Sequence, residues 1–104
     1  MSINLENMAS EFNCSIDDIK NLLGGVASQI IVFTDMIESS IPSSDFETIK
    51  IASGMIMQEI NGFDLSDIKS SVSDIISASN SEDIDSANSS FTSLKSAISD
   101  LNNI

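Results

Sequence analysis

The sequence predicts an all-α protein: an up-down-up-down four-helix bundle preceded by a short extra N-terminal helix. Apolar residues recur at helical spacing along almost the whole chain, and no segment shows the alternating pattern of a β-strand. Turn-forming residues interrupt this spacing so that one short and four long segments remain. The 104 residues, 41% of them hydrophobic, suit one domain spanning 1–104 with a buried core.

The first two predicted helices meet at a short polar break. The first carries apolar residues at the i, i+3, i+4 and i+7 positions of one face: Leu5, Met8, Ala9 and Phe12. Ser15 stands three residues before Asp18, which predicts a capping box at the start of the second helix. This helix is expected to end near Ser40. Gly24 and Gly25 inside it each cost about 1 kcal/mol relative to alanine, so we expect a close helix approach or a bend there.

Turn residues separate the remaining three helices. Ser44 and Glu47 predict a capping box at the start of the third helix. Gly62 is expected to end that helix in the left-handed conformation, and Asp64 to cap the fourth helix. A polar linker over 77–81 follows. The last helix opens with acidic residues that complement its dipole: Glu82, Asp83 and Asp85.

Charge and missing residue types exclude most kinds of chemistry. Four lysines and sixteen acidic residues give a net charge of −12. So few cations cannot form a patch for nucleic acid, and an anionic membrane would repel the chain, so neither is expected as a partner. The chain has no histidine, no arginine and one cysteine, which excludes His-based catalysis, a thiolate zinc cage and a bidentate phosphate clamp. We therefore expect no enzyme activity, no cofactor and no metal.

The single cysteine and the N-terminus bear on location. Cys14 fits a reducing compartment, and residues 1–6 show no signal peptide, so a cytoplasmic protein is predicted. Polar residues such as Gln29 and Asp35 interrupt the apolar stretches, so none is expected to reach membrane-spanning length. Cys14 precedes a helix N-terminus, where a thiol can be reactive; a partly buried structural cysteine is the alternative.

The middle of the chain carries a recognisable order of features. Residues 44–57 read SDFETIKIASGMIM, and asparagine, glycine and phenylalanine follow at 61–63. In this segment, and in the order of its helices, the chain resembles the histidine phosphotransfer (HPt) domains of bacterial phosphorelays. The resemblance implies a third helix that presents a phosphoaccepting residue to a response-regulator receiver domain or a histidine kinase. Ala52 matches the family, whereas Ser53 replaces the histidine, and Ile56 and Met57 replace a lysine and a glycine.

Ser53 is a degenerate phosphoacceptor position. A neutral imidazole is nucleophilic near pH 7, whereas a serine hydroxyl needs a base that no histidine of this chain can supply. The resemblance therefore implies a non-catalytic signalling module, which binds a receiver domain or histidine kinase without accepting phosphate. The residues expected to form the docking face are Lys50, Ser53, Gly54, Ile56 and Met57.

Two alternatives remain open at this stage. Ser53 shares its helix face with Ile49 and Ile60, so it is either a small core residue or part of an exposed apolar docking patch. The function could also be that of a small acidic structural, chaperone-like or secretion- or phage-associated helical binding protein unrelated to phosphorelays. A dimer formed through the 49–60 face, or two hairpins without the leading helix, would favour this second function.

Overall fold

A computed structural model of the protein describes residues 3–104. Within that range all regular structure is helical and there is no strand. The five helices are α1 (Leu5–Phe12), α2 (Ile16–Ser40), α3 (Phe46–Ile60), α4 (Ser66–Asn80) and α5 (Ile84–Asn102). The predicted all-α class is therefore confirmed. The first two residues, which are part of the segment predicted to lack a signal peptide, lie outside the described range.

One connected apolar core holds the helices together. Each helix packs against the next, and α5 returns to α2; of the described helices, α1 contacts α2 alone. The core draws side chains from all five helices, and isoleucine is the commonest of its large members. The molecule measures 43 × 20 × 19 Å. It is elongated because the 25 residues of α2 span about 38 Å at 1.5 Å per residue.

The start of α2 is set by the predicted capping box. The Ser15 hydroxyl accepts a hydrogen bond from the Asp18 N–H (3.0 Å), and the Asp18 carboxylate accepts one from the Ser15 N–H (3.3 Å). The second predicted box, between Ser44 and Glu47, is wrong. Ser44 adopts a left-handed backbone with φ 53°, so it belongs to the turn and the next residue becomes the cap.

Aspartates cap α3 and α5 in the same way. Asp45 accepts hydrogen bonds from the N–H and the hydroxyl of Thr48, at 3.2 and 2.7 Å. Asp83 accepts the equivalent pair from Ser86, at 3.1 and 2.8 Å. The residue before this second cap, Glu82, also has a left-handed φ of 53°. A left-handed residue therefore turns the chain directly into each aspartate cap.

Packing, more than capping, sets the bounds of α4. The N-cap position is Leu65, which is almost fully buried, so Asp64 does not cap this helix as predicted. The helix runs on to Asn80 because Ala78 and Ser79 are buried against the bundle, which shortens the predicted 77–81 linker. Gly62 does not supply a left-handed end to α3 either, since every glycine in the described range has a negative φ.

Gly24 and Gly25 lie within the uninterrupted α2 and face solvent. A Cβ atom added to either would meet no described atom within 4 Å. The predicted close helix approach at these glycines is therefore wrong for the bundle itself. The two glycines lower the stability of the helix, and no contact in the fold compensates for that loss.

By length and composition, α2 is apolar enough to cross a membrane, with a mean hydropathy of 1.2 in an 18-residue window. The prediction that no segment reaches membrane-spanning length is therefore wrong. Core helices of bundles pass the same test, and α2 does contribute a buried stripe to the core. Only 28% of the window is buried, however, so most of α2 is incompletely covered by the rest of the chain.

Gly24→Ala and Gly25→Ala are each expected to raise the free energy of unfolding by about 0.8–1 kcal/mol, because alanine loses less backbone freedom and meets no neighbour. Urea denaturation followed by circular dichroism measures the change. A loss of stability in either variant would show that the backbone of α2 requires glycine at that position.

The aspartate caps predict a pH dependence. The hydroxyls of Thr48 and Ser86, and then the N–H groups of the same residues, lower the pKa of Asp45 and Asp83 below the usual 3.8. A lowered pKa means that the ionised caps stabilise the fold above about pH 4, and that this contribution is lost as pH falls through the folded-state pKa.

The variant Asp45→Asn/Asp83→Asn keeps the capping oxygens and removes the titration. Its thermal midpoint is expected below that of the wild type at neutral pH, with a difference that shrinks as pH falls below about 4. Thermal melts from neutral pH down to about pH 2 measure the difference. A difference that stays constant over this range would contradict the assignment of the caps.

Candidate functional site

The five residues predicted to dock a partner lie in three different environments on α3. Ser53 and Ile56 are 0% exposed. Gly54 and Met57 are half-buried, and Lys50 is exposed. A partner could therefore reach Lys50 and parts of Gly54 and Met57, but neither Ser53 nor Ile56. These two side chains offer no accessible surface to a partner, and of the two interpretations of Ser53 the core residue is the correct one.

Ser53 is buried because it lies in the middle of the one stripe that α3 presents to its neighbours. α2 and α4 both pack against α3 along this stripe. Its members are all fully buried: Ile49, Ala52, Ser53, Ile56 and Ile60. The face of α3 that carries Ser53 is therefore occupied by the bundle's own core.

The Ser53 hydroxyl has no chemistry available to it. Among the described residues, its Oγ has no hydrogen-bond partner, and the same is true of the buried Ser79. A serine nucleophile needs both a base within hydrogen-bonding distance and access to substrate. Since Ser53 has neither, this position holds an unsatisfied hydroxyl, which costs about 1–3 kcal/mol when buried.

Cys14 lies at the junction of α1 and α2. It is half-buried and free, and it packs against the edge of the core. The open hollow beside it is lined by Phe12, Asp18, Asn21 and Leu22. This packing agrees with the structural interpretation of Cys14 and adds no group that would activate the thiol.

The exposed large apolar side chains are the feature that helical periodicity did not reveal. Most of them lie on α2 and α3. We call the following the exposed apolar set: Leu22 (47% exposed), Ile31 (50%), Val32 (58%), Ile51 (56%) and Met55 (41%). They were missed because an apolar residue outside the main stripe of a helix looks like part of a generally hydrophobic segment. The available signal was their position: Ile51 and Met55 are one turn apart, on the side of α3 opposite its buried stripe.

Charge is absent from the same part of α2. No charged residue occurs between Lys20 and Asp35, although the chain as a whole carries −12. Contiguous apolar surface with a polar rim is typical of protein-binding sites, and three of the exposed apolar set, Leu22, Ile31 and Val32, lie in this uncharged segment. This arrangement can bind another protein, but it offers no reactive group.

A groove between α2 and α5 is the other concave feature near these residues. Ile31 and Phe91 contribute apolar surface to it. Lys95 spans it, pairing with Glu38 at 3.2 Å, and its Nζ lies 5.7 Å from the centre of the Phe91 ring. Both partners of the ion pair are more than half exposed, so the pair contributes about 0–1 kcal/mol. In the described part of the chain, no group of three metal-ligating side chains is close enough to hold a metal ion.

Substitutions at Ser53 test its place in the core. Ser53→Ala removes an unsatisfied hydroxyl and is expected to raise the free energy of unfolding by about 1 kcal/mol. Ser53→His places an imidazole in a filled core, so we expect a loss of about 1–3 kcal/mol from overpacking alone. Urea denaturation measures both. A histidine variant as stable as the wild type would show that this position is accessible to solvent.

Comparison with known proteins adds no family to this description. No protein-family model matches the sequence, and neither a curated protein nor a solved structure matches it. Any function must therefore be inferred from the residues and the geometry described above.

Proposed function

We propose that this chain is a non-enzymatic protein-binding module, an HPt-like helical bundle that binds a partner without accepting phosphate. The observation that carries the proposal is the exposed apolar set on α2 and α3, next to an uncharged stretch of an otherwise acidic chain. Apolar side chains exposed in this way lose unfavourable contact with water when a partner covers them.

The order of helices supports the HPt-like form of the proposal. A short α1 precedes the long α2, and three further helices follow through the short connections 41–45, 61–65 and 81–83. Short connections between packed helices favour antiparallel neighbours, as in an up-down-up-down bundle. The partner class to which this order points is a receiver domain or a histidine kinase, and the proposed location is therefore the cytoplasm.

The residue types and their placement support the non-enzymatic part of the proposal. The chain has no histidine, and the serine at the acceptor position is fully buried. Asp45 and Asp83 are engaged in capping, and hydrogen bonds lower the pKa of both, so they are weaker bases than ordinary aspartates. With Ser53 inaccessible, docking is proposed to shift to the other side of α3, where Ile51 and Met55 are exposed.

The structural or chaperone-like alternative lacks the observations that would favour it. A dimer through the 49–60 face would need exposed apolar residues there, yet Ile49 and Ile60 are fully buried inside one chain. The leading helix, whose absence would also favour this alternative, is present as α1. The binding module of the phosphorelay type is therefore the function we propose.

The test is to incubate the protein with a panel of phosphorylated receiver domains and histidine kinases. We expect a complex with at least one of them and no phosphate on this chain, measured by isothermal titration calorimetry and by radiolabel transfer. Ile51→Ser/Met55→Ser is expected to weaken binding about tenfold or more, because it removes two exposed apolar contacts. The matched control, Ser53→Ala, is expected to bind like the wild type.

Three results would contradict the proposal. Phosphate transferred to this chain would overturn its non-enzymatic part. Failure to bind any receiver domain or kinase would overturn the partner class. Binding that depends on Ser53 but not on Ile51 and Met55 would overturn the proposed location of the docking surface.

A further inference from the structure

α2 carries an apolar stripe that the bundle buries and a second, uncharged stripe that it leaves largely exposed. The inner stripe is buried or half-buried and recurs in alternating steps of four and three: Ile19, Leu23, Val26, Ile30, Phe33 and Ile37. The second, which we call the outer stripe, recurs in alternating steps of three and four: Leu22, Gly25, Gln29, Val32 and Met36. Such steps average 3.5 residues, the repeat by which one helix packs lengthwise against another.

The outer stripe faces away from the bundle. Its first four members are exposed, and Met36 is half-buried. It also lies almost entirely within the uncharged segment between Lys20 and Asp35. A solvent-facing stripe of a soluble helix ordinarily carries charged residues. The outer stripe thus has the spacing and the lack of charge of a packing surface, although within the described chain only its last member, Met36, packs against the core.

Gly25 is a second feature that indicates a packing surface on this side of α2. It lies in the outer stripe and costs helix stability, and a Cβ at this position would meet open space. The fold therefore gives no reason for a glycine here. A helix lying across the outer stripe does give one, because a residue without a side chain allows a close approach of the two backbones.

We propose that the outer stripe receives an amphipathic helix of a partner protein, with lysine or arginine flanking the apolar seam of that helix. This inference rests on the proposed function as a binding module and specifies the chemistry of the partner. Exposed carboxylates stand at both ends of the stripe, Asp18 before Leu22 and Asp35 after Val32. With a net charge of −12 behind them, they attract a cationic partner and repel an anionic one.

A second copy of this chain is a poor occupant by comparison. Two copies would bring together two surfaces of the same sign, each with a net charge of −12. The stripe is about 21 Å long and about 10 Å wide, on the order of 200 Å². A stable complex buries about 800 Å² on each partner, so the stripe alone is too small for a stable dimer and suits only a transient contact, whichever protein covers it. A small apolar seam assisted by opposite charge suits a transient complex with a single basic helix.

The probe for this inference is a synthetic helical peptide of three heptads. It carries leucine at the positions that would face the outer stripe and lysine at the positions on either side of them. Its matched control has the same leucines and glutamate at the flanks. Binding to the full chain is measured by fluorescence anisotropy at low and at high salt. We expect the lysine peptide to bind, more weakly at high salt because ions screen the attraction, and the glutamate peptide not to bind.

Variants separate docking on the stripe from general attraction to an acidic protein. Val32→Glu disrupts the stripe and also adds negative charge, so it is expected to weaken binding of the lysine peptide about tenfold or more. General attraction predicts the opposite, a gain in affinity. Ser96→Glu adds the same charge on the exposed side of α5 and is expected to leave binding within about twofold of the wild type. Circular dichroism confirms that both variants fold.

Five outcomes would overturn the inference. Three concern the peptides: the lysine peptide fails to bind, the glutamate peptide binds as tightly, or Val32→Glu binds the lysine peptide as well as the wild type does. The other two concern another occupant: sedimentation shows self-association that Val32→Glu abolishes, or the chain binds neutral phosphatidylcholine vesicles through Val32. Failure here is distinguishable from failure of the proposed function. If a receiver domain binds but the peptide does not, only the inference about the outer stripe falls. If the peptide binds and no receiver domain or kinase does, the proposed partner class falls.

Discussion

The burial of one aliphatic stripe from each helix is the constraint on which the whole structure depends. Fully burying an isoleucine contributes about 1.5–3 kcal/mol, and several of them, including Ile30, Ile37 and Ile49, are completely enclosed. The opposing electrostatic contribution is the repulsion among sixteen acidic residues. Within residues 3–104 one exposed ion pair, Lys95 with Glu38, offsets little of it. The free energy gained by burying apolar side chains therefore has to exceed the electrostatic repulsion. The same packing fixes the rotation of each helix about its own axis.

The rotation of α3 decides what the molecule can do. Because Ile49 and Ile60 face the core, Ser53, which lies on the same side of α3, is buried with them. Ile51 and Met55 lie on the other side and are exposed to solvent. Exposing the Ser53 hydroxyl would require α3 to turn about its axis and expose its buried stripe to water. The same stripe that holds the bundle together thus keeps the Ser53 hydroxyl out of reach of solvent and of any partner.

Local patterns predicted the helices well because each pattern contains its own physical cause. The 3.6-residue period placed α1 and α2, and the Ser15 box, closed by hydrogen bonds three residues apart, was recognisable without tertiary information. The choice between neighbouring capping residues could not be predicted from the sequence. Whether Ser44 or Asp45 caps α3 depends on which of them adopts a left-handed backbone. Periodicity also could not decide the burial of Ser53, since a core stripe and a docking stripe have the same spacing.

The attachment of α1 has a consequence for how the molecule opens. The Phe12 ring stacks on Phe63 of the 61–65 connection, with ring centres 5.3 Å apart, and Met8 is fully enclosed. The stacked rings tie α1 to the 61–65 connection, and Met8 and Ala9 belong to the same core cluster as side chains of the four long helices. If α1 came away, the apolar surface that these two side chains cover would be exposed to water. The short leading helix therefore helps to keep the core dry.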